Sequence, residues 1–212
     1  MAELIRGLDP QVVRSNLTRI REEIGPEVEV LAAVKYLPAD ELAALAEAGV
    51  KLLGENRAQE LAKKADAYPG RFTWDFIGHL QSRKVKQVLP YVRYIHSVAT
   101  DSALSQLERH GTAQTQVLVE VNVSGEEGKS GIAPAQLGPF LERCPVTVVG
   151  LMTMPPFTTE PERSRPYFAA LRELAQAHRL RHLSMGTSQD YVVAVEEGAT
   201  IIRLGTTLYE AT

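Results

Sequence analysis

Short runs of apolar residues alternate along this chain with segments in which apolar residues recur every three or four positions. The first segment is helical in spacing, with Val13, Leu17 and Ile20 on one face, and Gly25-Pro26 ends it. The apolar runs predict eight strands, at 27–34, 50–54, 73–78, 92–97, 115–123, 146–154, 181–186 and 199–205. Helical patterns follow nearly every strand, at 39–48, 56–67, 80–89, 101–110, 134–142, 160–178 and 188–197.

This order of elements predicts an α/β fold. Strands that alternate with helices form parallel sheets, and eight such units favour a closed (β/α)8 barrel, the TIM barrel. An open doubly wound sheet is the alternative, but it needs a glycine-rich turn after its first strand, and "VKYLP" contains no glycine. Since no low-complexity linker interrupts the pattern, we predict a single barrel domain over residues 1–212.

Composition and charge exclude several classes of protein. The chain has 212 residues, 44% of them hydrophobic, and a net charge of −3, so it can bury a core and offers no general attraction to nucleic acid. No stretch approaches the about 18 apolar residues of a membrane span, and the N-terminus does not have the pattern of a secretory signal. Cys144 is the only cysteine, and His79 and His96 do not have the spacing of metal ligands. We therefore expect a cytoplasmic protein without a metal site.

A lysine stands at the end of the first predicted strand. In barrels of this type the active site lies at the carboxyl ends of the strands. Lys35 shares its alternation with Ala33, so the two side chains should lie on one face. Lys35 could simply extend its ammonium group to the rim of the barrel. It could instead be a nucleophile that forms a Schiff base with a carbonyl compound.

Glycine and hydroxyl residues follow the last two strands, in "SMGTS" (184–188) and "LGTT" (204–207). Barrels often bind phosphate with these two loops, because glycine lets backbone N–H groups approach the oxygens. Ser188, Thr206 and Thr207 can add hydroxyl groups, and Ser188 is predicted to open the helix at 188–197. The alternative is that these glycines only turn the chain.

Arg203 shares the alternation of Ile201 and should point into the barrel, where an arginine needs a partner. It could pair with a carboxylate such as Glu120. If it faces a pyridine nitrogen instead, it can only donate a hydrogen bond, and the ring nitrogen stays unprotonated. A lysine, a phosphate cup and a donor to a ring nitrogen together describe a pyridoxal 5′-phosphate (PLP) site. Asn56 and Asn122 could orient cofactor groups or cap turns.

Several longer motifs are typical of one known family. They include "AVKYLP", "GENRAQE", "FIGHLQSRK", "VNVSGEEGKSGI", "GLMTMPP", "LSMGTSQDY" and "IRLGTTLYE", and they extend over nearly the whole chain. On these residues the chain resembles the pyridoxal phosphate homeostasis proteins, whose single domain is similar to the barrel of alanine racemase. The chain departs from the family pattern at Thr187, Val192 and Glu210.

The resemblance implies a cofactor, a set of binding residues and a role. Lys35 would carry PLP as an internal aldimine. The other implied residues are Ser188, Gly205 and Thr206 at the phosphate, Met185 and Gly186 near it, Arg203 at the pyridine nitrogen and Asn56 near the ring. The family is thought to buffer PLP and to deliver it to PLP-dependent apo-enzymes, without established turnover, as a cytoplasmic monomer.

Two enzymatic alternatives remain open. An amino-acid racemase of this fold needs a second acid or base opposite the lysine, usually from another domain. Only "TTLYEAT" follows strand eight, so we expect no such domain, and the sequence shows no evident acid or base opposite Lys35. A Schiff-base aldolase would need an acid near the lysine, and Glu55 is the one obvious candidate.

Overall fold

Eight parallel strands close into a barrel in the computed structural model, which describes residues 4–210. Each strand pairs with the next along the chain, and the eighth pairs with the first. The strands are β1 (Glu29–Ala33), β2 (Leu52–Glu55), β3 (Thr73–Phe76), β4 (Tyr94–Val98), β5 (Gln116–Glu120), β6 (Thr147–Met152), β7 (His182–Ser184) and β8 (Ile201–Leu204). The predicted fold class, an α/β barrel, is confirmed.

Helices surround the barrel and connect its strands. They are α1 (Pro10–Ile24), α2 (Leu42–Ala48), α3 (Ala58–Ala67), α4 (Val85–Val88), α5 (Asp101–His110), α6 (Leu137–Glu142), α7 (Arg165–Ala177), α8 (Tyr191–Glu196) and α9 (Thr206–Tyr209). Short 3-10 turns lead into four of them, at Ala39–Glu41, Ser82–Lys84, Pro134–Gln136 and Pro161–Ser164. Within residues 4–210 no helix is long and apolar enough to cross a bilayer.

The element ends differ from the sequence prediction at two places that matter for the site. The helix predicted over 188–197 begins only at Tyr191, because Asp190 closes a turn in which its carboxylate accepts the N–H of Thr187 at 2.7 Å. Ser188 therefore lies in a turn and not at the first position of the helix. The segment after β8 forms the short helix α9, which the sequence pattern did not predict.

Apolar side chains fill two layers. The outer layer lies between strands and helices and includes the buried side chains of Trp74 and Phe76. The inner layer fills the barrel and consists of Leu31, Leu52, Tyr94, Leu118, Met152 and Ile201. Met152 thus fills the barrel, whereas Met154 is 50% exposed at its mouth. Because the apolar filling lies within the strands, the polar groups that follow it collect at their carboxyl ends.

Candidate functional site

The carboxyl ends of the strands enclose a cavity of about 410 Å³. Six of the eight residues predicted for the cofactor site line it: Lys35, Asn56, Ser188, Arg203, Gly205 and Thr206. Met185 and Gly186 are not among the lining residues. The sequence therefore brings together most of the predicted set at one place, at the end of the barrel where such sites occur.

Lys35 follows β1 and reaches into this cavity. Ala33 also lines it, which confirms that the two side chains share a face. The Lys35 ammonium lies over the ring of Tyr36, with Nζ 4.5 Å from the ring centroid. The Tyr209 hydroxyl donates to the carbonyl oxygen of Ala33 at 3.2 Å and fixes the end of the strand. No carboxylate of the described residues lies within 4.0 Å of Nζ, so the amine has no ion-pair partner there.

Two further side chains hold the backbone on which Lys35 is carried. Lys64 on α3 donates from Nζ to the carbonyl oxygen of Val34 at 2.7 Å. Arg57 donates to the carbonyl oxygen of Lys35 at 3.2 Å. Backbone carbonyl groups just past the end of a strand have no partner in the sheet. The bonds from Lys64 and Arg57 supply these partners, and they fix the backbone position of Lys35.

Glu55, the acid proposed from sequence for an aldolase, does not reach the cavity. Its carboxylate is fully buried, pairs with Lys64 at 2.5 Å, and accepts the N–H groups of Asn56 at 2.6 Å and Arg57 at 3.1 Å. Glu55 therefore does not supply the acid near Lys35 that the aldolase alternative would need. The sequence did carry a signal for its partner, because Lys64 follows the buried Leu61 by three positions and so lies on the buried face of α3.

Asn56 presents an unsatisfied acceptor in the cavity wall. Its Oδ1 atom is buried and has no hydrogen-bond partner among the described residues. A Cβ atom on Gly78 would stand 2.0 Å from the carbonyl oxygen of Asn56, so only glycine permits the backbone to approach here. Buried acceptors are nearly always paired in native proteins, and an unpaired one on a cavity wall indicates that a ligand supplies the donor.

Arg203 points into the barrel, as its alternation predicted, and is 6% exposed. One terminal nitrogen donates to the carbonyl oxygen of Ser184 at 2.7 Å and to its hydroxyl at 2.6 Å. The other donates to the carbonyl oxygen of Thr153 at 2.9 Å and to the sulfur of Met154 at 2.8 Å. Burial lowers the pKa of Arg203 to about 10, so the guanidinium stays protonated at neutral pH. The alternative in which Arg203 pairs directly with Glu120 is not observed.

A buried polar chain supports Arg203 from below. The Ser184 hydroxyl lies 2.8 Å from Nδ1 of His96, and Nε2 of His96 lies 3.0 Å from a carboxylate oxygen of Asp75, which Arg93 also contacts at 2.7 Å. Because the carboxylate only accepts, Nε2 carries the proton and Nδ1 accepts from Ser184, which in turn accepts from Arg203. The sequence prediction missed this series of hydrogen bonds, although the alternation of Tyr94 and His96 places both side chains in the barrel.

Burial and neighbouring charges shift the pKa values of His96 and Asp75. Burial lowers the pKa of His96 below its usual value, and the neighbouring Asp75 raises it only in part. Burial alone would raise the pKa of Asp75, but hydrogen bonds and charges from His96 and Arg93 outweigh it, so the pKa is lowered. Neutral His96 beside an ionised Asp75 is the state that the fold favours.

The two glycine loops are tied together through Ser188. Its hydroxyl oxygen lies 3.3 Å from the backbone nitrogens of Gly205 and Thr207, both of which donate to it. The Thr207 hydroxyl donates back to the carbonyl oxygen of Ser188 at 3.3 Å. These long bonds leave backbone N–H groups and hydroxyls at the cavity wall, where an anion could replace the Ser188 oxygen as their acceptor.

Met185 and Gly186 support these loops from behind. The Met185 side chain is fully buried in the outer apolar layer. Gly186 has a φ of +90°, and a Cβ atom there would stand 2.6 Å from the Cβ atom of Ala194 on α8. The backbone carbonyl of Gly186 accepts the N–H of Arg203 at 3.0 Å, which links this loop to β8. The structure therefore brings them next to the lining residues without exposing them to the cavity.

One cavity residue, Glu120, was considered from sequence only as a possible partner of Arg203. Glu120, the last residue of β5, lines the cavity and is 4% exposed. Its Oε1 atom accepts the hydroxyl of Ser130 at 2.5 Å. In a closed barrel of eight strands, β5 lies across from β1, so a carboxylate faces the strand that carries Lys35. The structure thus places a carboxylate on the strand across the barrel from β1, a candidate acid or base that the sequence prediction did not assign.

Comparison with known proteins identifies the family. The model of the alanine racemase N-terminal domain matches residues 8–212. The chain is 42% identical to the pyridoxal phosphate homeostasis protein of Aquifex aeolicus over 195 residues, 85% of this chain and 86% of that protein. It is 37% identical to the protein of the same name from Pseudomonas aeruginosa over 194 residues, 87% of this chain and 84% of that protein.

Among solved structures, PipY of Synechococcus elongatus, determined with PLP bound, matches with a TM-score of 0.81 and 31% identity. The match covers 93% of this chain and 100% of PipY. Sequence, fold and domain model agree with the resemblance carried by the motifs. The chain belongs to the family of pyridoxal phosphate homeostasis proteins, which is built on the barrel of the alanine racemase N-terminal domain.

Proposed function

We propose that this protein binds PLP covalently through Lys35, as a cytoplasmic monomer, and delivers it to PLP-dependent apo-enzymes without turning over amino acids. The observation that carries the proposal is the cavity of about 410 Å³ that Lys35, Asn56, Arg203 and the two glycine loops line together. The family name of the relatives and the PLP bound to PipY support the same cofactor.

The residues of the cavity fit the groups of PLP. The Lys35 amine would bond to the aldehyde carbon with loss of one water molecule, and the bound cofactor supplies an electron-accepting ring. Asn56 offers its unpaired Oδ1 to a donor. The bonds that Arg203 makes to Ser184, Thr153 and Met154 occupy its two terminal nitrogens, which leaves Nε–H as the donor free of partners within the described chain. A guanidinium that donates to the ring nitrogen keeps it unprotonated and weakens carbanion chemistry.

The covalent link is tested by absorption spectroscopy and borohydride. We expect the protein incubated with PLP to absorb in the Schiff-base band, and borohydride followed by peptide mapping to find the cofactor on Lys35. Lys35→Ala should lose the link, whereas Lys51→Ala, which removes an exposed lysine at the opposite end of the barrel, should keep it. A wild-type protein that stays colourless would contradict the proposal.

The phosphate cup is tested by comparing PLP with pyridoxal. Charge-assisted hydrogen bonds are worth about 1.5–3 kcal/mol each, so PLP should bind far more tightly than pyridoxal. Ser188→Ala combined with Thr206→Ala should reduce this preference, because both side chains line the cavity at the glycine loops. Equal affinity of the wild-type protein for the two compounds, measured by titration, would show that the phosphate binds elsewhere.

A racemase-like enzyme is the second candidate, and Glu120 across from Lys35 is the observation that favours it. An experiment in deuterated water distinguishes a racemase from a carrier, because a racemase exchanges the Cα proton of L-alanine for deuterium. For a carrier we expect no exchange at about 1 per second, the low end of ordinary turnover. Exchange at that rate that is lost in both Lys35→Ala and Glu120→Gln would establish the enzyme instead.

A further inference from the structure

Glu120 is a buried carboxylate to which the proposed cofactor site assigns no partner. It is 4% exposed, it lines the cavity, and its single hydrogen bond within the described chain runs from Ser130 to Oε1. Its Oε2 atom accepts nothing from residues 4–210, and no lysine, arginine or histidine side chain of that range lies within 4.0 Å. Lys129, its neighbour in the adjoining loop, is paired with Glu126 at 2.7 Å. Buried carboxylates without a charged partner are rare because burial disfavours the ion.

The chemistry of this group indicates what it would bind. A carboxylate oxygen can only accept, so its partner must be a donor, and a cation is the donor that best offsets its burial. Within residues 4–210 no group of three or more His, Cys, Asp or Glu side chains could hold a metal ion, so Glu120 does not belong to a metal-binding cluster of the described residues. A primary ammonium group fits, because it carries three donors on one small charge and can enter through the open mouth of the barrel.

We propose that Glu120 is the binding group for the primary amine that receives the cofactor. Its carboxylate would bind the incoming ammonium and accept one proton from it, which leaves a neutral amine and a carboxylic acid on Glu120. When the amine nitrogen then bonds to the carbon held by Lys35, the carbon–nitrogen bond to Lys35 would break and the proton on Glu120 would pass to the departing Lys35 amine. Only the neutral amine has the lone pair that attack on carbon requires. This role in exchange rests on the proposed PLP-carrier function, whereas the amine site itself does not.

Ser130 explains how Glu120 is held ready. Its hydroxyl bonds Oε1 at 2.5 Å from a loop that returns beside β5, where Val121 and Ile132 form an isolated bridge. One oxygen is therefore fixed within the protein and the other is directed to the ligand. The competing explanation is that Glu120 only offsets the buried charge of Arg203, with which it interacts favourably from a distance. That explanation assigns no ligand to the carboxylate.

The test measures amine binding in the absence of the cofactor. Propylamine and 1-propanol have the same chain length, so saturation-transfer NMR on the cofactor-free protein isolates the ammonium group. We expect saturable binding of propylamine only, weakened about tenfold or more in Glu120→Gln, the loss expected for a charged hydrogen bond. Glu127→Gln, which removes the same charge from an exposed position of the neighbouring loop, should bind like the wild type.

A second measurement uses the PLP-loaded protein and follows loss of the cofactor as propylamine is added. In Glu120→Gln the amine concentration for half-maximal loss should rise about tenfold, after correction for the PLP affinity of each protein measured by titration. Equal amine binding in wild type and Glu120→Gln, or no saturable binding in either form of the protein, would overturn the proposal and leave Glu120 as a counter-ion of Arg203. If the protein does not form a covalent link to PLP but still binds propylamine through Glu120, the proposed carrier function is contradicted and the proposed amine site is supported.

Discussion

The β2–β3 side of the barrel and the end of β5 both bury carboxylates, but they leave them in opposite states. On the β2–β3 side, Glu55 pairs with Lys64 and accepts two backbone N–H groups, and Asp75 contacts a histidine and an arginine. At β5, Glu120 has only the hydroxyl of Ser130. A carboxylate whose acceptors are all filled stabilises the fold, whereas one with an open oxygen on a cavity wall is available to a ligand.

The largest loss of stability should follow from breaking the buried ion pair between Glu55 and Lys64. Glu55→Gln leaves the fully buried Lys64 ammonium without its counter-charge, and removing one partner of a buried pair costs about 3–5 kcal/mol of the free energy of unfolding. Urea unfolding followed by circular dichroism measures it. The double variant Glu55→Gln/Lys64→Met carries no buried charge and should recover most of the loss. If Glu55→Gln alone were as stable as the wild type, the pair between Glu55 and Lys64 would contribute nothing to the stability of the fold.

An intermediate loss of stability is expected when the pH is lowered. The pKa of His96 is lowered from the ordinary 6.5, so below about pH 6.5 the unfolded chain binds a proton that the folded protein refuses, and stability falls as pH falls. The slope for one proton is about 1.4 kcal/mol per pH unit. Asp75, whose pKa is lowered from 3.8, adds a loss only below about pH 3.8.

Urea unfolding at pH 7.5, 6.5 and 5.5 checks this dependence. His96→Gln should reduce the slope between pH 6.5 and 5.5 by about one proton. His182 is the matched control, because partial burial lowers its pKa as well and it titrates in the same window. A slope that disappears in His182→Gln and persists in His96→Gln would place the effect outside the buried chain below Arg203.

The contrast between Glu55 and Glu120 also shows what the sequence could and could not predict. The eight-fold repeat of strand and helix was readable, and so was the fact that Lys35 shares a face with Ala33 and Arg203 a face with Ile201. Glu55 and Glu120 both end apolar strands, but Glu55 alternates with the outer layer residue Leu53 and Glu120 with the inner layer residue Leu118. Strands buried on both faces are apolar throughout, so the pattern does not reveal which alternation faces the barrel axis.

Contacts between elements distant in sequence were the other part that could not be predicted. The bond between Ser184 and His96 joins residues 88 positions apart, and no local pattern encodes it. Likewise, because Asp190 closes a turn, α8 begins only at Tyr191, and Ser188 connects the two glycine loops. Local propensity places elements, whereas these bonds depend on which strands become neighbours when the barrel closes.

The smallest effect should come from repeating the Glu→Gln substitution at the open carboxylate. Glu120→Gln keeps an oxygen that can accept the Ser130 hydroxyl, and it leaves no buried cation unpaired, since none lies within 4.0 Å among the described residues. It also removes a charge whose burial is unfavourable. We therefore expect the free energy of unfolding to change by less than about 1 kcal/mol, no more than one ordinary hydrogen bond. Measured beside Glu55→Gln under the same conditions, a loss of about 3 kcal/mol or more would mean that Glu120 is as fully engaged in the fold as Glu55, because that is the cost of breaking a buried pair.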